Sequence, residues 1–150
     1  MNAVGFAGLD PAARPWVMGV VNVTPDSFSG DGLGDRAEAA AAQAAAMIAA
    51  GAHVIDVGGE STRPGADFVS AEAEIARVVP AIRAIRARSP DAVISIDSYK
   101  AATAAAALDA GARIVNDVKG LIGDPAMAAL CADRGCPAIL MDNRARADRI

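Results

Sequence analysis

The sequence predicts an α/β protein built on a parallel sheet, and three observations carry that prediction. Short apolar runs alternate with alanine-rich or charged helical stretches from Trp16 to Met141. Three junctions repeat one pattern: Ala50-Gly51-Ala52-His53-Val54-Ile55-Asp56, Ala110-Gly111-Ala112-Arg113-Ile114-Val115-Asn116, and Arg134-Gly135-Cys136-Pro137-Ala138-Ile139-Leu140-Met141-Asp142. Each is a helix-ending glycine, a short link, an apolar strand and then an acid or amide, the signature of successive βα units. Finally, Asn22, Asp56, Asp97, Asn116 and Asp142 all fall at strand C-terminal ends, so they are expected to converge on one rim. In a (β/α)8 barrel, active sites are built on that rim. Five strands cannot close such a barrel, which usually takes about 250 residues. The choice is between a smaller open sheet and the first part of a barrel, and the charged end without terminating structure favours the second.

The elements follow in order. Residues up to Arg14 are rich in Gly, Ala and Pro and read as a short lead-in or hairpin. Trp16 to Val23 reads as a strand buried on both faces, followed by a glycine-rich loop, Gly30-Asp31-Gly32-Leu33-Gly34. Asp35 is expected to cap an alanine-rich helix that closes at Gly51. Val54 to Val57 is the second strand. Ser70 caps the next helix, with Glu72 and Glu74 near its positive end and Arg83, Arg86 and Arg88 near its negative end, and Pro80 should kink or divide it. Val93 to Ile96 is the third strand, ending at Asp97, and Ser98 is expected to cap a helix to about Ala110. Ile114 and Val115 begin the fourth strand. Asp124-Pro125 reads as the start of a helix closing at Gly135, and Ala138 to Met141 is the fifth strand.

Composition excludes several functions. The chain has 150 residues, is 53% hydrophobic and carries a net charge of −4, so one domain with a proper core is expected. Lys and Arg form no basic run and aromatics are 3%, which removes both the electrostatic footprint and the stacking platforms of a nucleic-acid binder. The alanine-rich Ala37 to Ala50 segment is too short and too weakly apolar to span a bilayer. The N-terminus lacks a signal-peptide pattern, which points to a cytoplasmic protein. Cys131 and Cys136 lack zinc or redox spacing and read as small core or near-surface residues. His53 lies at the start of its strand, roughly 10 Å from Asp56, which makes a Ser-His-Asp or Cys-His mechanism improbable.

The densest chemistry is Asp56-Val57-Gly58-Gly59-Glu60-Ser61-Thr62-Arg63-Pro64-Gly65. Two adjacent glycines permit close backbone approach, while two hydroxyls and a guanidinium supply donors for phosphate oxygens. Neither a dinucleotide fingerprint nor a P-loop is present, so nucleotide binding of those kinds has no support. The rim offers carboxylates, amides and hydroxyls. Such a set suits a polar heterocycle and a leaving phosphate, with magnesium as a helper because its ligands are hard oxygens. Asp97 can accept from a ring N–H and an exocyclic amine, and Asn116 can offer both donor and acceptor to the same edge.

Val17-Met18-Gly19-Val20-Val21-Asn22-Val23-Thr24-Pro25-Asp26-Ser27-Phe28-Ser29, the Gly58 to Gly65 loop, Ser95-Ile96-Asp97 and Ile114-Val115-Asn116-Asp117 together resemble the signatures of the dihydropteroate synthase family. The resemblance runs from about Trp16 to Met141 and implies a pterin-binding TIM barrel, of which this chain holds about the first five βα units in a single domain. It implies the condensation of p-aminobenzoate with 6-hydroxymethyl-7,8-dihydropterin diphosphate to give dihydropteroate and pyrophosphate. By motif, it implies that Asn22 helps bind Mg2+ and that Thr62 and Arg63 contact the diphosphate and carry the catalysis. Asp97 and Asn116 would read the pterin edge, with Val118 and Met141 along the ring. Ser27, Phe28 and Pro64 would lie on the two loops that assemble the p-aminobenzoate site. The family implies a homodimer, not formed in the same way by this chain, and neither a nucleic-acid nor a membrane partner.

Three departures accompany the resemblance. Gly30 stands where the family often has an acid, Asp142 stands where many members have a histidine, and the later strands with their Lys and Arg-x-His are absent. The chain by itself is therefore expected to be inactive or nearly so. Two other readings compete. The pterin barrel of corrinoid methyltetrahydrofolate methyltransferases shares the logic of Asp97 and Asn116 but does not account for Ser61-Thr62-Arg63. A non-catalytic half-barrel would associate through its exposed sheet edges.

Overall fold

The computed structural model describes residues 6–9, 15–24, 33–61 and 67–142. Five strands, β1 (Met18–Asn22), β2 (Val54–Gly58), β3 (Val93–Asp97), β4 (Ile114–Asp117) and β5 (Ala138–Leu140), pair in parallel in the order 1-2-3-4-5. Helices α1 (Leu33–Ala49), α2 (Ala71–Arg88), α3 (Ala101–Ala110) and α4 (Met127–Arg134) make the crossovers. The predicted βα repeat is borne out. Gly51, Gly111 and Gly135 all adopt positive φ after their helices, where a side chain would strain the backbone.

Strand alternation sorts the side chains into two layers. Ile55, Val57, Ile94, Ile96 and Val115 pack outward against Ala40, Ala44, Val78, Ile82, Ile85, Ala104 and Ala107 of the helices. The small alanine faces let the helices approach the sheet closely. On the opposite face, Val54 and Ile114 pack with Leu9, Phe6, Trp16, Met18, Val93 and Ile139. Within the lead-in, Phe6–Gly8 forms a 3₁₀ turn that covers the N-terminal ends of the strands, with the Phe6 and Trp16 rings stacked at 5.9 Å.

Register places the polar strand ends. Asn22, Gly58, Asp97, Asn116 and Ile139 form one row across the sheet, and Val20, Asp56, Ser95 and Ile114 form the row beneath it. Asp56 therefore sits one layer below the rim residues, because β2 runs on to Gly58 before it turns.

Several boundaries differ from expectation. β1 begins at Met18 and is not covered on both faces: Val17 and Val20 are about half exposed, since within the described residues β1 pairs only with β2. Asp35 lies inside the first turn of α1, not at its cap. α2 runs unbroken through Pro80, because burial of Val78, Ala81, Ile82 and Ile85 on either side outweighs one missing N–H. Ser70 caps α2 as expected, accepting from Ala73 N at 3.2 Å. Ser98 does not cap α3; its Oγ accepts from Lys100 N, and Asp124 from the next crossover accepts from Ala101 N at 2.9 Å. Asp124 forms a turn with Ala126 N, so α4 starts later, at Met127. His53 is half-buried at the lower end, where its Nδ1 accepts from Val17 N at 3.1 Å. Cys131 and Cys136 are half-buried free thiols.

Candidate active site

The upper row supplies the first group of site residues. Asp97 ends β3 and Asn116 stands beside it on β4. Asn22 is across Gly58: a side chain on Gly58 would place its Cβ 3.3 Å from Asn22 Oδ1 and 3.4 Å from Asp97 Oδ2. Even a methyl group would be crowded there, so glycine is what lets the Asn22 amide oxygen and the Asp97 carboxylate draw close over the end of β2.

Asp56 supports this row from beneath. It is 3% exposed and accepts from Ser95 Oγ at 2.5 Å and from Asn116 Nδ2 at 2.9 Å. Burial raises its pKa, and the two hydrogen bonds oppose that rise only in part. One amide hydrogen of Asn116 is thereby committed to Asp56, which fixes the plane in which its oxygen is presented.

Asp97 is the electrostatic centre. Burial, followed by the Coulombic influence of Asp56, Glu74, Asp117 and Glu60, pushes its pKa up to about 7. A carboxyl poised there gains most from a ligand that brings N–H donors to it.

Two further groups shape the rim. The buried Asp117 accepts from Lys119 N at 2.7 Å and Leu121 N at 2.9 Å, and its carbonyl accepts from Met141 N, so one residue ties the loop after β4 to the end of β5. This brings the half-buried Val118 and the half-exposed Met141 to neighbouring strand ends. Asp142 is exposed just past β5, outside the row shared by Asn22, Asp97 and Asn116. Ser27, Phe28, Thr62, Arg63 and Pro64 lie outside the described residues.

A buried polar cluster was missed from sequence. Lys100 Nζ is paired with Glu60 and lies 3.0 Å from Glu74. Glu74 Oε2 also accepts from Ser98 Oγ at 3.2 Å and Thr103 Oγ1 at 2.9 Å. Glu74 is 1% exposed, so its assignment to the helix dipole alone is corrected: it turns inward from the first turn of α2. Two signals pointed to the cluster. Residues 74, 78, 81, 82 and 85 share one face of α2, and Lys100 and Lys119 are the only lysines in the chain, each just past a strand end. Burial raises the pKa of Glu60, but the Lys100 hydrogen bond, Val69 N–H and the attraction of Lys100 outweigh it, and the net shift is downward. Burial lowers that of Lys100, yet its two carboxylate partners hold it above the ordinary value.

Gly59 touches this cluster directly. An added Cβ would come 2.8 Å from Val78 Cγ1 and 2.9 Å from Glu74 Cγ, with Glu74 carbonyl oxygen at 3.3 Å. Gly59→Ala is expected to destabilise the fold by about 1–3 kcal/mol, read as a lower denaturation midpoint with unchanged slope. An unchanged midpoint would mean that α2 shifts freely, contrary to its packing.

A parallel βα array with its polar groups on the C-terminal rim is the scaffold of a TIM-barrel enzyme, of which this chain holds an N-terminal portion. Residues 18–150 match the family described as pterin binding enzyme, and the chain belongs to that family. It is 55% identical over 128 residues to the dihydropteroate synthase of Streptococcus pyogenes, covering 85% of this chain and 48% of that protein. To the Bacillus subtilis dihydropteroate synthase it is 50% identical over 128 residues, covering 85% and 45%. Among solved structures, dihydropteroate synthase from Clostridium difficile, determined in the presence of pteroic acid, superposes with a TM-score of 0.83 at 41% identity over 90% of this chain and 51% of that one. The Xanthomonas albilineans enzyme with 4-aminobenzoic acid gives 0.79 at 44% identity over 87% and 48%. The chain spans about half the length of the relatives it matches.

Proposed function

We propose that the chain contributes the pterin-reading and diphosphate-binding part of a dihydropteroate synthase, and the observation that carries this is the shared row of Asp97 and Asn116 with Asp56 bracing the amide from below. In this reaction the amine nitrogen of p-aminobenzoate forms a C–N bond to the pterin methylene, the C–O bond to diphosphate breaks, and the amine loses a proton. No nucleophile from the protein is needed. The protein must orient two substrates and stabilise the charge that collects on the leaving group.

Asp97 would accept from a ring N–H and the exocyclic amine of the pterin, and Asn116 would complete that edge. Val118 and Met141 would flank the ring. Thr62 and Arg63 would donate to the diphosphate, and Ser27, Phe28 and Pro64 would form the p-aminobenzoate site. Among the described residues no three His, Cys, Asp or Glu side chains gather as a metal site. Asn22 nevertheless suits Mg2+, since an exposed amide oxygen on the rim is a hard ligand that leaves most positions to phosphate oxygens and water. When bound, Mg2+ would neutralise charge on the diphosphate. The reading extends to a cytoplasmic enzyme, homodimeric in its complete form. Among the described residues no helix is long and apolar enough to cross a membrane.

The test completes the barrel with the second half of the Streptococcus pyogenes relative and measures dihydropteroate formation. Arg63→Ala is expected to lower turnover about a hundredfold or more, the usual cost of removing a donor to developing charge. Near-normal turnover would sink the assignment of Arg63, and binding of methyltetrahydrofolate without any affinity for pyrophosphate would favour the corrinoid reading instead.

A further inference from the structure

The β2–α2 connection leaves the sheet after Gly58 and reaches α2 at Ser70, and its two described stems are Gly59 to Ser61 and Asp67 to Ser70. Both stems are tied to the same buried cluster. On the departing stem, Glu60 pairs with Lys100, and the Gly59 carbonyl accepts from Arg77 NH1 at 2.8 Å. On the returning stem, Val69 N donates to Glu60 Oε1 at 3.1 Å, and the Phe68 ring centroid lies 5.3 Å from Lys100 Nζ. Tyr99 adds its hydroxyl to Glu60 Oε1 at 3.4 Å and its ring to Lys100 at 4.5 Å.

The side chains of Lys100, Glu60 and Glu74 are only 10%, 9% and 1% exposed. Burying three charges is costly, and a connector of this length needs only glycine and proline turn chemistry. The arrangement makes sense if the place of the loop matters more than its stability. Lys100 also follows Asp97 by three residues, so the segment that presents the pterin-reading carboxylate is the one that anchors the loop.

We propose that Lys100, with Glu60 and Glu74, is a positioning centre that ties the two stems flanking Thr62 and Arg63 in sequence to the segment that carries Asp97. The identity of the ligand rests on the function proposed above; the tie between the two stems does not. Thr62 and Arg63 follow Glu60 by two and three residues, and successive Cα atoms are about 3.8 Å apart, so any slack at Glu60 reaches them within two or three peptide units. Loss of the tie should therefore fall on the diphosphate and on turnover, and spare the pterin ring.

Two variants test this. Lys100→Met removes the cation, and Glu60→Gln keeps the shape of the side chain if the first proves too damaging to fold. Amide hydrogen exchange at Val69 should become about tenfold faster or more in either variant, while amides of β3 and α3 keep their protection. In the completed barrel, pyrophosphate affinity and kcat should fall about tenfold or more, 6-hydroxymethylpterin affinity should stay within about twofold, and Lys100→Arg should recover most of the loss. Unchanged exchange at Val69 overturns the proposal. So does a parallel loss of pterin and pyrophosphate affinity, which would make the cluster structural only. If the exchange result holds but the unmodified completed barrel forms no dihydropteroate, the tie is supported and the proposed function fails.

Discussion

Asp97→Asn is expected to weaken binding of 6-hydroxymethylpterin by about a thousandfold, because an amide presents N–H groups to a ligand edge that itself donates, and a mispaired buried polar site rejects its ligand by orders of magnitude. The pH dependence makes the prediction sharper. In the free protein the Asp97 carboxyl titrates near 7, raised first by burial and then by Asp56, Glu74, Asp117 and Glu60. An acid whose folded pKa lies above its ordinary value of 3.8 favours the folded state when protonated, so its ionisation withdraws stability as pH rises from about 4 to 7. A ligand donating two hydrogen bonds binds the ionised form. Affinity should therefore climb by about tenfold per pH unit below 7 and level off above it, with about one proton released per ligand bound at pH 6. Calorimetry in two buffers of different ionisation enthalpy reads that proton directly, and Asp97→Asn should abolish it. A flat pH profile in the unmodified protein would remove Asp97 from the recognition of the ring.

Glu74→Ala carries the largest expected loss of stability, about 3–5 kcal/mol, which is the range for breaking a buried ion pair by deleting one partner. Lys100, Ser98 and Thr103 all converge on one oxygen of this carboxylate, and water has little access to replace it. Glu72, two residues earlier on the exposed side of the same turn, is the internal control, and Glu72→Ala should leave the denaturation midpoint nearly unchanged. Equal effects of the two substitutions would show that the helix dipole, and not the buried cluster, is what Glu74 serves.

These two residues also mark where the sequence was and was not readable. Asp97 and Asn116 were legible because a strand in a parallel sheet ends in a predictable place: a valine- or isoleucine-rich run stops at the first acid or amide, and parallel order puts all such stops at one end. The same rule misplaced Asp56 by one layer. Its strand continues through Val57 to Gly58, and only the pairing with Ser95 and Asp97 on β3 fixes the level at which each residue stands. The helix dipole alone accounts for an acid at position 74, whereas its partners come from 24 to 29 residues further on, and no local pattern pairs it with Lys100. Ser98 failed as a cap for a similar reason, since Asp124 from the following unit took the position. The loop residues Ser27, Phe28, Thr62, Arg63 and Pro64 rest on motif alone.

The 3₁₀ turn at Phe6–Gly8 has a bearing on traffic through the site. With Leu9, Phe6 and Trp16 packed on Val54, Val93 and Ile114, the lower end of the inner face is stoppered with apolar side chains, while Asp56 closes the layer above them. On the proposed reading, a pterin seated on Asp97 and Asn116 would rest above this apolar packing and would be approached from the C-terminal ends of the strands.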